Sequence, residues 1–441
     1  MTMAADKQDK VLNFSSEREQ SGACSSSAER ENNQGKNFLN VPNLRFPEFN
    51  GEWVKYRVSD VLDFYSTNSL SWDQLEYNTD ELQNLHYGLI HVGLPTAVDM
   101  NESILPNIKK EFLPKNYELC KNGDVAFADA SEDTNEVAKA IEFVNLPNRN
   151  VVCGLHTIHG RDNHNLTSVG FKGYAFASES FHNQIRRIAQ GTKIFSISCK
   201  NFTECYIGIP SKEEQTKIAK LLGLIDERIS TQIRIIEELK MFRDTLMFKL
   251  LSPRKNWEHV CIHDIAMVVG GGTPDTNVKE YWDGNIQWFT PSEIGKEKYA
   301  IVSERTISQA GLDNSSAKLL PANTILLSTR ATIGECSIAK KECCTNQGFQ
   351  SLIATKVTPE FLYYLIQTKK RDLLSKASGS TFSEISANEV RKIHICIPTT
   401  AKEQEALVQP LSAYDEKIET ECKILYLYKL QKQFLLSKLF I

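Results

Sequence analysis

One cysteine and three histidines fall close together at Cys153, His156, His159 and His164, with two, two and four residues between them. These residue types suit zinc, yet structural zinc sites usually bring ligands in close pairs separated by a longer span. The run fits no common zinc pattern, and Asp162, Asn163 and Asn165 around it make it a polar loop. No metal is assigned. The segment reads either as a recognition loop, because histidine, arginine and asparagine side chains can contact base edges and phosphates, or as a plain surface loop without function.

Other chemistry is scarce. The chain has no G-x-x-x-x-G-K-[ST] phosphate loop, and Gly270-Gly271-Gly272 lacks the spaced third glycine of a dinucleotide fingerprint, so it reads as a turn. There is no Asn/Asp-Pro-Pro-aromatic run, the usual amino-methyltransferase signature. Pro274-Asp275 is not followed by the Glu-x-Lys of a nuclease within its domain. No catalytic residue is assigned, and the sequence describes a binder rather than an enzyme.

Composition sets the outer bounds. The chain has 441 residues, 41% hydrophobic and 24% charged, enough for two or three cores. No run of 18 apolar residues occurs, so no membrane-spanning helix is expected. Residues 1–40 are rich in Ser, Glu, Asn and Gln and carry no basic-then-apolar leader; they are expected to be a disordered tail. Eleven cysteines, scattered without a C-x-x-C pair, fit reduced thiols and a cytoplasmic location, and the adjacent Cys343-Cys344 fits packing. A net charge of −4 is unlike a lone nucleic-acid binder, whose affinity comes mainly from basic phosphate contacts.

The elements that position these residues are announced by a repeat. Ile209-Pro210, Glu214-Gln215 and Ile225-Asp226-Glu227-Arg228-Ile229 recur as Ile397-Pro398, Glu403-Gln404 and Tyr414-Asp415-Glu416-Lys417-Ile418. The offset is 188 positions at the first pair and 189 thereafter. Trp53 and Asp60 match Trp257 and Asp264, and the edge Gly191–Ile194 matches Gly379–Phe382. A period this long means two whole units rather than a solenoid. The interiors barely resemble each other, although both read as mixed α/β with short alternating runs. The expected order is a tail (1–40), a globular domain (41–210), a helix (211–252), a second globular domain (253–398) and a second helix (399–441).

Both helices carry a coiled-coil seam: Ile218, Leu222, Ile225, Ile229, Ile236, Leu239, Leu246 and Leu250, matched by Leu407, Leu411, Tyr414, Ile418, Leu425, Tyr428, Leu435 and Leu439. Gln232 and Arg243 interrupt the first seam, and Glu421 and Lys432 interrupt the second at the same positions. Parallel packing would set Arg243 against Lys432. Antiparallel packing about a pseudo-twofold axis predicts an Arg243–Glu421 ion pair and Gln232 opposite Lys432.

This layout resembles the specificity subunit of type I DNA restriction–modification systems. The resemblance rests on Leu44-Arg45-Phe46-Pro47-Glu48-Phe49, Gly271-Gly272-Thr273-Pro274 with Tyr281-Trp282, Ser328–Gly334, Thr345-Asn346-Gln347-Gly348-Phe349 and the two Ile-Pro…Glu-Gln helices. It covers essentially everything after residue 40. It implies an α+β chain with two pseudo-symmetric target-recognition domains separated by two long antiparallel coiled-coil helices. Each domain would read one half of a bipartite, asymmetric target in double-stranded DNA, and the helices would set the gap. Two modification subunits using S-adenosylmethionine would methylate adenine, and restriction subunits would use ATP and Mg2+; no cofactor is expected in this chain. By position in the family pattern, Thr290, Ser292, Ser328, Thr329, Arg330 and Gln347 would touch DNA in the second domain. In the first domain His156, Arg161, Lys172 and Lys193 are chosen on residue type and loop placement. The competing reading is a coiled-coil scaffold without sequence-specific DNA reading.

Overall fold

The computed structural model describes residues 40–441 apart from residue 80, residues 147–149 and residues 378–383. The expected tail and the edge Gly379–Phe382 therefore fall outside the described residues, save Asn40. Contacts divide the chain into two units. One ends at Ser230 and takes in Tyr426–Ile441; the other is Thr231–Leu425.

The first unit contains β1 (Val54–Arg57), β2 (Asp63–Tyr65), β3 (Leu75–Glu76), β4 (Gln83–Leu85), β5 (Ala97–Asp99), β6 (Asn107–Ile108), β7 (Val125–Ala128), β8 (Ala140–Val144), β9 (Val151–Cys153), β10 (Thr157–Arg161) and β11 (Tyr206–Ile209), with helix α1 (Phe171–Phe176). Its main sheet has the order β2-β10-β7-β8-β5, and β9-β4-β6-β3 form a smaller one. The pair β5–β8 is parallel, as is β9–β4. Strands β1 and β11 close the unit as an antiparallel ribbon.

The second unit contains β12 (Glu258–Cys261), β13 (Ala266–Gly270), β14 (Trp282–Phe289), β15 (Tyr299–Ala300), β16 (Arg305–Ile307), β17 (Ile325–Leu327), β18 (Cys336–Ala339), β19 (Cys343–Thr345), β20 (Gln350–Ala354) and β21 (His394–Ile397). Its main sheet runs β13-β20-β17-β18-β15, the same order in the same senses as in the first unit. Strands β16-β14-β19 repeat three of the four strands of the smaller sheet, without a counterpart of β3; β14–β19 is parallel, and β12 pairs with β21 as the closing ribbon. The divergent interiors thus share one topology.

Two long helices are divided between the units: Lys212–Leu250, called α2, and Ala401–Lys438, called α4. A short helix, α3 (Pro359–Thr368), lies between them in sequence. Both long helices begin just after an Ile-Pro, because proline ends the strand ladder and lacks the donor a further pair would need. Each has a hydroxyl three residues ahead of its glutamate. Ser211 Oγ accepts from Glu214 N at 3.4 Å and Thr400 Oγ1 from Glu403 N at 3.3 Å, which satisfies one of the free amides of the first turn.

The repeated Glu-Gln pairs tie each helix to its own globular part. Buried Gln215 accepts from Ser168 N at 2.6 Å and donates to Pro210 O at 2.9 Å; Gln404 accepts from Thr358 N at 2.9 Å and donates to Pro398 O at 3.4 Å. Glu214 receives Arg45 through two 2.8 Å bonds, and Glu403 receives the Trp257 indole at 3.0 Å. Apolar cores complete the attachment. Trp53, Phe171, Tyr174, Ile218, Leu222 and Leu439 form one in the first unit; Phe361, Tyr364, Leu352, Leu407, Leu411 and Met247 belong to one in the second. A side chain of this size contributes about 1.5–3 kcal/mol when fully buried.

The seam residues are buried or half-buried in both helices. Pairing is antiparallel in each unit, as charge complementarity requires, but the register corrects the expected partners. In the second unit Gln232 Nε2 donates to Glu421 Oε2 at 2.5 Å, and Arg243 pairs with Asp415 at 2.9 Å rather than with Glu421. In the first unit Lys432 pairs with Asp226 at 2.6 Å rather than facing Gln232. The acidic partners lie at the margin of the seam rather than within it. Long cationic side chains lay their stems along apolar surface and carry the charge to its margin, where Asp226 and Asp415 stand one residue beyond Ile225 and Tyr414. These two ion pairs are repeats of each other, since Asp226 and Asp415, like Arg243 and Lys432, are 189 positions apart. Gln232 meets its own counterpart, Glu421.

Candidate nucleic-acid interface

In the second unit four loops leave the ends of β13, β14, β17 and β19 and meet. Gly272 N donates to Thr345 O at 2.9 Å, Asn346 N to Phe289 O at 3.1 Å, and Thr329 N to Gly348 O at 2.8 Å. Thr332 Oγ1 reaches Pro291 O at 3.3 Å, and the Thr273 hydroxyl donates to Gln347 Oε1. Gly271 is required here, because a Cβ would lie 2.0 Å from Asn346 O. All six residues chosen in this domain therefore belong to one loop cluster.

They divide into two groups. Arg330, Ser292 and Gln347 offer side chains at the surface; Arg330 also pairs with Glu384 at 2.7 Å, both partly exposed. Ser328 and Thr329 are fully buried, which corrects their expected role. Ser328 Oγ donates to Arg330 O at 2.8 Å and Thr329 Oγ1 to Gly348 O at 3.1 Å, so their hydroxyls build the loop. Thr290 is half-buried, and its amide and hydroxyl both donate to Glu293 Oε2, at 2.7 and 2.6 Å. Ala331, just after Arg330, has φ 56°, a conformation that costs a residue with a Cβ and holds the arginine at a sharp turn.

The same bonds locate the corresponding loops of the first unit. Asn68 N donates to Cys153 O at 3.1 Å, Gly154 N to Leu85 O at 2.9 Å, and Asp129 N to His156 O at 3.1 Å. His86 therefore corresponds to Thr290, Asp129 to Thr329 and His156 to Gly348. These loops hold a file of rings: Trp72 and His86 at 4.5 Å between centroids, His86 and Tyr87 at 4.7 Å, Tyr87 and His156 at 5.2 Å. His156 is exposed, with φ 54°, and its Nδ1 lies 3.1 Å from Asp129 Oδ1. Burial, with repulsion from His156, lowers the His86 pKa to about 4, so this imidazole is neutral near pH 7. The sequence reading missed Trp72, His86, Tyr87 and Asp129. Without strand pairings, nothing marks them as neighbours of His156.

Two first-domain expectations are corrected. Arg161 is buried and receives three carboxylate oxygens: Asp124 at 2.9 and 2.8 Å and Glu118 at 2.6 Å. Burial opposes its charge, but these bonds raise its pKa and keep it cationic. Lys172 is buried 3.1 Å from Glu142 Oε1. Each is occupied by a core carboxylate and presents no charge at the surface. Lys193 is exposed in the turn before Phe195–Ser196, which pairs with Ala130–Ser131 beside Asp129.

The cysteine–histidine run is broken up by the fold. Cys153 and His159 are buried with Cys120, their ligand atoms within 4.8 Å of one another, whereas His156 faces the loop surface. His159 Nε2 is held by Asp124 at 2.7 Å, in the same polar core that holds Arg161.

Residues 254–426 match the family model described as the type I restriction modification DNA specificity domain. The MjaIX type I restriction enzyme specificity subunit of Methanocaldococcus jannaschii is 39% identical over 174 residues, 38% of this chain and 40% of that protein. The putative MjaX specificity subunit of the same organism is 24% identical over 413 residues, 88% of this chain and 92% of its own length. The second unit thus matches the type I restriction modification DNA specificity domain, and most of the chain is similar to type I specificity subunits. The match to the EcoR124I/EcoR124II specificity subunit of Escherichia coli spans 57% of that subunit, at 26% identity. Among solved structures, the type I S subunit from M. genitalium covers 91% of this chain and 99% of its own, with a TM-score of 0.50 and 16% identity. A chain from a study of complex assembly and conformational transition of the type I system covers 87% and 96%, with a TM-score of 0.57 and 16% identity. These likenesses establish the specificity-subunit fold for both units.

Proposed function

We propose that this chain is the DNA sequence-recognition subunit of a type I restriction–modification complex. Each globular domain, taken as residues 41–210 and 253–398, reads one half of a bipartite asymmetric target, and the helices (211–252 and 399–441) set the gap. Adenine methylation and restriction belong to two modification subunits and to restriction subunits, which bring S-adenosylmethionine, ATP and Mg2+. The assembly works in the cytoplasm. One observation carries the reading: a single sheet topology, repeated in two units, presents four corresponding loops with different chemistry. The second unit offers arginine, amide and hydroxyl groups, and the first offers imidazole and aromatic rings. Arginine can grip guanine through two bonds, whereas rings favour stacking and edge contacts. A net charge of −4 fits a reader whose phosphate contacts come largely from partners.

The test is single-molecule sequencing of DNA from a methylation-free host that expresses the chain with its cognate methylase. Methyladenine in both halves of a gapped motif is the expected result. Assembly without methylation would favour the scaffold reading.

A further inference from the structure

The closing ribbon of the second unit carries an unusual face. In the β12–β21 register His259 is opposite Cys396 and Cys261 is opposite His394. Alternate residues of a strand share a face, so all four side chains lie on one side of this ribbon. That side is outward, because Ile395 and Ile397 are buried in the core on the other. Histidine and cysteine supply only 9 and 11 of the 441 residues. Four in four positions of one face is far from chance.

The pairs are already in contact. Cys261 Sγ lies 3.4 Å from His394 Nδ1, and Cys396 Sγ lies 3.2 Å from His259 Nδ1. Thiolate and imidazole bound to one tetrahedral zinc, at about 2.3 and 2.0–2.1 Å, stand about 3.6 Å apart. Each pair is therefore close to the edge of such a tetrahedron. The fold does not require these residues. The corresponding face in the first unit holds Lys55 and Arg57 opposite Gly208 and Tyr206, and these cannot form a soft-metal site.

We propose that Cys261, Cys396, His259 and His394 bind one soft divalent metal ion, of which zinc is the type. As they stand, no three of these four ligand atoms lie within 4.8 Å of one another, so a common ion requires the partly exposed side chains to rotate about χ1. Binding releases the two thiol protons and leaves a neutral Cys2His2 centre. The ion would join the first strand of the second unit to its last, and so restrain a long loop in the unfolded chain.

Titration of the full, chelator-treated chain with Zn2+ and Co2+ tests this. Expected are one equivalent bound per chain, a thiolate-to-cobalt charge-transfer band, and a higher Tm with zinc. The double variant Cys261→Ser/Cys396→Ser should lose the band and the Tm shift, while Cys422→Ser keeps both. Zinc should also shield Cys261 and Cys396 of the unaltered chain from alkylation, which reads the ligands without any variant. No band and no protection would overturn the proposal, as would uptake unchanged in the double variant. DNA reading plays no part in these readouts, so they stand apart from the test of the proposed function.

Discussion

The two units share a frame down to single hydrogen bonds but differ in what their interiors use to hold it. In each, a buried tyrosine donates to an aspartate that a cation from the opposing long helix also holds. Tyr174 reaches Asp226 at 2.8 Å with Lys432 on its other oxygen; Tyr364 reaches Asp415 with Arg243. Beneath the loops the similarity ends. The first unit buries Asp124, His159 and Arg161 as a charged cluster. The second has Thr324, Ser351 and Ile353 at the corresponding places, by the same strand alignment. The lesson is that residues joining a domain to its helix are constrained by a partner that repeats. The core and loops answer only to their own unit and are free to differ.

The largest difference between the units is expected at that core. Asp124→Ala leaves Arg161 buried without its main counter-charge and should cost about 3–5 kcal/mol. Thr324→Ala, at the corresponding site, removes only the 2.7 Å bond to Pro321 O and should cost about 1 kcal/mol. Urea denaturation of both variants measures the gap, and equal losses would contradict it.

Loop substitutions should separate the half-sites. Arg330→Ala is expected to remove about 1–3 kcal/mol of discrimination in one half of the methylated motif and leave the other half intact. His156→Ala should alter only the other half. Methylome sequencing reads both, and uniform weakening without relaxed specificity would make Arg330 a phosphate ligand.

The repeated tyrosines should behave alike at their aspartates, with a somewhat larger loss at Tyr364, whose hydroxyl also accepts from Lys298 Nζ at 3.1 Å. Tyr174→Phe and Tyr364→Phe each remove a bond to a carboxylate, for a loss of about 1.5 kcal/mol in thermal unfolding. A difference well beyond that between them would show that the shared triad does different work in the two units.

The smallest effect is a titration. The folded chain holds His86 neutral to about pH 4, whereas an unfolded imidazole takes up its proton near pH 6.5. Acid thus favours the unfolded state at this residue. Relative to His86→Gln, the wild type should lose about 0.8 kcal/mol by pH 6 and more towards pH 4. NMR titration of His86 checks the pKa directly, and a midpoint near 6.5 would refute the burial argument. Thr290, the counterpart of His86, has no group that titrates in this range.

Much of this was legible in the chain. The seam, the two helices and their antiparallel sense followed from apolar spacing and from the charges at 243 and 432. The second-domain loop residues came from a motif pattern, and the fold did bring them together. The common topology was hidden, because loops of unequal length keep shifting the offset. Leu85 corresponds to Phe289, Cys153 to Thr345 and Asp226 to Asp415, so the offset falls from 204 to 192 to 189.

What the sequence determined by itself was periodic or repeated: the helices, their seam and the capped Ile-Pro starts, all set by local spacing and near-neighbour chemistry. Tertiary structure alone decided which polar groups meet. It buried Arg161 and Lys172 against carboxylates distant in sequence, turned Ser328 and Thr329 inward, and moved Arg243 from Glu421 to Asp415. A side chain's burial and partner depend on strand order and helix register, and those are settled by packing over the whole unit rather than by the residues beside it.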